Sequence, residues 1–208
     1  MKHLHISVCV LAGGRSSRMG QDKARLRLGK RTLLGKVRAT AKALGLPVRI
    51  IRHDLVPGCG PLGGVFTALK SSRADAELFL ACDMPFVSAA LLARLVSKFR
   101  GNEMPLFVAG AQGPGFPFLL PRTSLELVEQ QLERKQFSLQ ALAKFLHARL
   151  LRPTAKQRRD LLNINTLCDL KEAQHHWKYS ARLSRRNRAV SKVRQAARDG
   201  KIPGISGL

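Results

Sequence analysis

The sequence predicts an α/β protein built on a layered, mostly parallel sheet, and three observations carry that reading. Short apolar runs of strand length alternate with segments whose apolar residues recur at helical spacing, the pattern of strand–helix–strand units. The first run, Ile6 to Leu11, feeds a paired-glycine bend and then a basic loop ending at Lys23. A later run, Leu78 to Cys82, ends at Asp83, and open α/β sheets gather ligands at this carboxyl edge of their strands.

The elements follow in order. Ala24 to Leu28 reads as a short connection, and Thr32 caps a helix running to about Leu44. Leu33, Leu34, Val37, Ala41 and Leu44 share its inner face, and Gly45-Leu46-Pro47 ends it. Val48 to Ile51 is a second buried strand, leading to Asp54 and a loop that contains Gly60-Pro61-Leu62-Gly63-Gly64. A helix opens at Val65. After Asp83, Ser88 caps a helix through about Phe99, with Leu91, Leu92, Leu95 and Val96 inward. Leu106 to Ala109 and Phe116 to Leu120 are strand candidates either side of a Gly/Pro turn. Ser124 to Arg134 and Ser138 to His147 are amphipathic helices, Ala148 to Arg152 a further strand, and Asp169 to Trp177 a last helix.

The loop after the first strand is the most informative stretch. Gly13 and Gly14 have no Cβ to hold a ligand away, so backbone N–H groups can approach an anion closely. Arg15, Arg18 and Lys23 surround the same point with positive charge, which makes a cradle for a nucleotide triphosphate. The loop is neither a P-loop nor a dinucleotide fingerprint: Gly29-Lys30 is followed by Arg31, and no G-x-G-x-x-G follows the strand.

A chain of 208 residues suits one α/β domain plus an appendage. No apolar run reaches the ~18 residues of a membrane span, and Met1-Lys2-His3-Leu4-His5 is too short and polar for a signal peptide. Cys9, Cys59, Cys82 and Cys168 form no C-x-x-C pair, which points to a reducing cytoplasm without a disulfide or zinc framework. The formal charge of +24 favours polyanions of any kind: nucleotides, phosphorylated cofactors or nucleic acid. Residues 171–208 hold ten Lys or Arg against Glu172 and Asp199. From Tyr179, Leu183, Val190, Val193 and Ala197 share one side of a basic helical stretch. That extension reads either as a solubilising tail or as a contact for nucleic acid, a membrane surface or a partner. His175-His176 reads as a surface pair.

Four stretches, Leu11-Ala12-Gly13-Gly14 on to Lys23, Gly60 to Gly64, Ala81-Cys82-Asp83-Met84-Pro85 and Asn163-Ile164-Asn165-Thr166, together resemble the molybdenum cofactor guanylyltransferases, the MobA-like nucleotidyltransferases. The resemblance covers residues 6–177. It implies a Rossmann-like three-layer nucleotidyltransferase fold over residues 1–177, with 178–208 as an extension. It implies that Leu11, Ala12, Gly13, Gly14, Lys23, Asp54, Gly60, Pro61, Leu62 and Gly63 bind the nucleotide. Arg18, Lys23 and Asp83 would be catalytic, with Asp83 the Mg²⁺ ligand and Asn163 and Asn165 on the pterin side. The implied reaction moves GMP from GTP to the terminal phosphate of molybdenum-molybdopterin and releases pyrophosphate, for the use of a molybdoenzyme or a cofactor carrier. The attacking phosphate oxygen is already anionic, so no strong general base is needed.

One departure stands out. In the family a strand and its loop lie between the first helix and the acid before G-P-L-G, and they carry an asparagine contact to the base. Here Leu44 runs through Pro47 almost directly to Asp54, so one strand is missing. Two alternatives follow: a cytidylyltransferase of the same architecture, and a non-catalytic protein that binds nucleic acid or a partner through its basic tail.

Overall fold

The computed structural model describes residues 4–13 and 23–175. The expectations for Gly14, Arg15, Arg18, His176, Trp177 and the extension 178–208 fall outside these residues.

β1 (Ile6–Leu11) alternates its side chains between two buried faces, as a central strand of a covered sheet must. Ile6, Val8 and Val10 pack with Leu78 and Leu80 of β5 (Ala76–Ala81) under α1 (Leu33–Lys42) and α3 (Ala89–Arg100). Cys9 and Phe79 face the other way, toward α2 (Gly60–Lys70), α4 (Leu125–Glu133) and α5 (Leu139–Phe145). The result is three layers, helices on both sides of one sheet. The helix starts are chemical: Thr32, Ser88 and Ser138 each accept a hydrogen bond from the backbone N–H three residues on.

β4 (Val48–Ile51), β6 (Leu106–Gly110), β7 (Gly113–Pro121) and β8 (Arg149–Leu151) complete the sheet in the order β4-β1-β5-β7-β6-β8. Only β7 opposes the direction of its neighbours in that sheet. Three rings weld it in place: Phe118 stacks on Phe107 at 4.4 Å and on Phe79 at 4.9 Å between centroids.

Three features differ from the sequence expectation. The stretch from Ala24 is no plain connection: after a 3₁₀ turn, β2 (Arg27–Leu28) and β3 (Arg31–Thr32) form a small hairpin. Leu26, Leu28 and Leu33 bury themselves there with Ile164, Leu170 and Ala173, which fastens the late chain, helical over 167–175, to the early one. α2 begins at Gly60, five residues before Val65, because Pro61 suits the first turn of a helix. β4 is half-buried, not buried, since it is the sheet's edge among the described residues. It is also the one strand between α1 and Asp54.

Arg49 of β4 ties that edge inward. Its guanidinium donates to Glu77 Oε1 at 2.6 Å, to Ala68 O at 2.9 Å, and to Ser71 O and Oγ at 3.2 Å each. The Glu77 side chain is fully buried and also accepts from the Ser72 hydroxyl. Nearby, burial first and then the Glu77 charge push the Cys9 thiol up to about 12, so it behaves as an apolar core residue. All four cysteines are free. No helix among the described residues is long and apolar enough to cross a membrane.

Candidate functional site

The carboxyl ends of β4, β1 and β5 open into one cavity of about 990 Å³. Its size lies at the top of the ordinary range for ligand pockets, which suits a nucleotide with room beside it. β1 brings Leu11, Ala12 and Gly13 to the wall, the chain after β4 brings Asp54, the start of α2 brings Gly60 and Pro61, and the chain after β5 brings Asp83. Lys23 closes the ring from the far end of the loop. The strand ends are locked together: Ala12 N–H donates to Ile51 O at 2.8 Å and Cys82 N–H to Leu11 O at 3.1 Å.

Lys23 and Asp83 form the charged centre. The Lys23 ammonium stands 3.5 Å from Asp83 Oδ2 and donates to Asn165 Oδ1 at 3.0 Å. The Ile164 N–H donates to the Asp83 carbonyl at 2.8 Å, so the late segment is clipped directly to the aspartate loop. Asn165 is held in turn: its N–H and that of Thr166 donate to Asp169 Oδ2, and the Asp169 N–H donates to Thr166 Oγ1. These bonds keep the Asp169 carboxyl below the usual range. Burial pushes the Asp83 carboxyl above its ordinary value, against the pull of Lys23. Asp83 Oδ1 is buried with no hydrogen-bond partner among the described residues. Among them, no group of three or more His, Cys, Asp or Glu gathers as a self-sufficient metal cage.

Asp54 sits in a nest of glycines. A Cβ at Gly64 would lie 3.3 Å from its Oδ1, and one at Gly63 would lie 3.2 Å from its Oδ2 and 2.6 Å from Val56 O. The same loop is pinned to α2, where Thr67 Oγ1 accepts from Leu55 N–H and donates to Gly63 O, both at 2.8 Å. Burial pushes the Asp54 carboxyl up, with His53 acting the other way. Gly63→Ala is expected to shift this loop, cost about 1–3 kcal/mol of stability as an overpacking change, and weaken binding of any nucleotide in the cavity that Asp54 lines. Denaturant unfolding and nucleotide titration check the two halves.

Some expected site residues are not where contact requires. Leu62 is fully buried in the core beneath α2, and Gly63 supports Asp54 instead of lining the cavity. Their places on α2, which already starts at Gly60, explain both: Leu62 turns into the core and Gly63 against the loop that carries Asp54 and Val56. Both asparagines are exposed and outside the cavity wall, but Asn165 reaches the charged centre by accepting from Lys23. Conversely, Arg52, His53, Pro57, Gly58 and Phe116 line the cavity without having been singled out. Arg52 and His53 were legible as the basic pair just past a strand end; Phe116 was not, because strand order puts it there.

The sequence matches the MobA-like NTP transferase domain over residues 8–152. It is 31% identical over 185 residues to the molybdenum cofactor guanylyltransferase of Acinetobacter baumannii, an alignment spanning 78% of this chain and 88% of the relative. A Methanothermobacter thermautotrophicus protein described as "Probable molybdenum cofactor guanylyltransferase" is 38% identical over 134 residues, 52% of this chain and 66% of the relative. The molybdopterin-guanine dinucleotide biosynthesis protein A of Archaeoglobus fulgidus shares the fold with a TM-score of 0.64 at 20% identity, over 83% of this chain and 99% of its own. With the match covering more than half its length, the chain belongs to the MobA-like NTP transferase family.

Proposed function

We propose that this chain transfers GMP from GTP to the terminal phosphate of molybdenum-molybdopterin, releasing pyrophosphate. The observation that carries the reading is that Lys23 and Asp83, 3.5 Å apart, share a single cavity with the Gly13 turn, with Asn165 accepting from Lys23 behind them. Relatives described as guanylyltransferases favour GTP over CTP as the donor. Residues 1–177 form the catalytic domain in this reading, with 178–208 as an extension.

An oxygen of the acceptor phosphate attacks the α-phosphorus of GTP. The new P–O bond forms as the bond to the bridging oxygen breaks, and pyrophosphate leaves with that electron pair. No proton need move, because the nucleophile is an anion. The chain therefore aligns the two substrates and offsets charge at phosphorus. The Gly13 backbone approaches the phosphates, while the Ala12 N–H holds the turn to Ile51 O, and Lys23, held between Asp83 and Asn165, supplies a fixed positive charge. The residues fit Mg²⁺: Asp83 presents an unpartnered buried oxygen, and this ion takes one or two carboxylates and completes its shell with phosphate and water oxygens. When bound, the ion neutralises charge that builds on the phosphoryl oxygens. The product would pass to a molybdoenzyme or carrier in the reducing cytoplasm, where free thiols persist.

Purified protein given GTP, Mg²⁺ and molybdopterin is expected to yield the dinucleotide cofactor and pyrophosphate, and chelation by EDTA to stop it. Lys23→Ala is expected to lower kcat by about 10²–10³-fold, the usual loss on removing one fixed donor from a developing charge. Absence of product from the wild type, or an unchanged rate in Lys23→Ala, would sink the proposal.

A further inference from the structure

The cavity has two unlike parts. Lys23 and Asp83 stand beyond the β1 and β5 ends, while Arg52, His53 and Asp54 stand beyond β4. β4 and β5 flank β1 on opposite sides, so these parts lie roughly 10 Å apart, two strand spacings. That is about the reach from the α-phosphate of a nucleotide to the far edge of its base. With phosphate chemistry at one part, the base falls to the other.

We infer that Arg52 reads the base, its guanidinium donating to O6 and N7 of guanine. This rests on the guanylyltransferase reading and supplies the base contact that the shortened region before Asp54 otherwise lacks. Arg52 is exposed, lines the cavity, and has no hydrogen bond or ion pair to its guanidinium among the described residues. Its backbone is part of the nucleotide turn: a Cβ at Gly13 would sit 2.7 Å from Arg52 O, so only glycine lets the two chains meet. The preceding Ile51 carbonyl accepts from Ala12 N–H, which fixes the register of that meeting. Arg52 therefore stands at a set height beside the glycine bend.

The chemistry selects among bases. A guanidinium has donors in a planar fork and no acceptor. On the major-groove edge guanine offers two adjacent acceptors, O6 and N7; adenine pairs N7 with an amino donor there, and cytosine shows an amino donor, its adjacent acceptors N3 and O2 lying on another edge. Asp54, an acceptor when ionised, complements the donor edge of the same base and repels the ring acceptors of cytosine.

The test is calorimetric titration of the full chain with GTP, ITP, 7-deaza-GTP and CTP in Mg²⁺, for wild type, Arg52→Ala and Arg52→Lys. ITP keeps O6 and N7; 7-deaza-GTP replaces N7 by C–H. Arg52→Ala is expected to weaken GTP and ITP by about tenfold to a hundredfold, the discrimination typical of a bidentate base contact. Its effect on 7-deaza-GTP and CTP should be severalfold smaller, and Arg52→Lys should not restore GTP binding. Equal losses with all four nucleotides would mean a phosphate or ribose contact and overturn the inference. Full rescue by Arg52→Lys, or no loss with GTP, would overturn it as well. In those cases wild-type binding of GTP leaves the proposed function standing; if the wild type binds none of the four, both fall.

Discussion

Asp83→Asn is expected to lower dinucleotide formation by at least about a thousandfold, the scale of a lost metal-holding carboxylate worth several kcal/mol in the transition state. The same substitution is expected to leave the protein as stable as before, or more so. The sign follows from burial. The folded carboxyl titrates above its unfolded value, so the stability it contributes is present at low pH and is lost as pH rises through the folded value. Above that value the ionised group is thus a net cost that Lys23 offsets in part. Asparagine keeps the shape and removes the charge. A functional residue that opposes stability behaves in this way. Thermal melts and turnover on the same samples separate the two effects; Asp83→Asn retaining a tenth of the activity would remove Asp83 from the chemistry.

Arg49→Ala is expected to cost about 3 kcal/mol of folding free energy, the lower end for breaking a buried pair, since water reaches the arginine side of it. The Glu77 side chain is 0% exposed and the Arg49 side chain 32%, so the carboxylate is the partner stranded without relief. Its second oxygen, Oε2, and the neighbouring Ser7 hydroxyl already have no hydrogen-bond partner among the described residues, so they offer no recorded substitute. Arg49 also closes the carbonyls of Ala68 and Ser71 at the end of α2, which strengthens the case for a large loss. Urea unfolding should show a lower midpoint at unchanged slope. The double variant Arg49→Met with Glu77→Leu should recover much of the loss, because it leaves no buried charge. A loss below 1 kcal/mol in the single variant would show the pair to be decorative.

Local chemistry in the sequence foretold much of this fold. Thr32, Ser88 and Ser138 announce their helices because a hydroxyl three residues ahead of a backbone N–H is a short-range signal. Likewise Ile6 to Leu11 running into glycine, and Leu78 to Cys82 running into Asp83, mark strand ends that a ligand can use. Gly60 to Gly64 misled for a physical reason. Its composition is that of a loop, yet the glycines stand inside α2 because Asp54 and Leu11 leave no space for a Cβ. The reversed direction of β7, and with it the arrival of Phe116 at the cavity, depends on strand order, which no window of sequence contains. Leu62 was misplaced for a related reason: a motif names neighbours in sequence, whereas the helix turns alternate ones away from the cavity.

The amide oxygen that accepts from Lys23 belongs to a residue 142 positions further along the chain. A ribosome delivers the two at different times: the glycine bend emerges early, the clasp only after the 142 positions that separate Lys23 from Asn165 have been added. A nascent chain therefore carries the glycine turn before Lys23 has its Asn165 partner, and the charged centre is completed only when that later segment folds back.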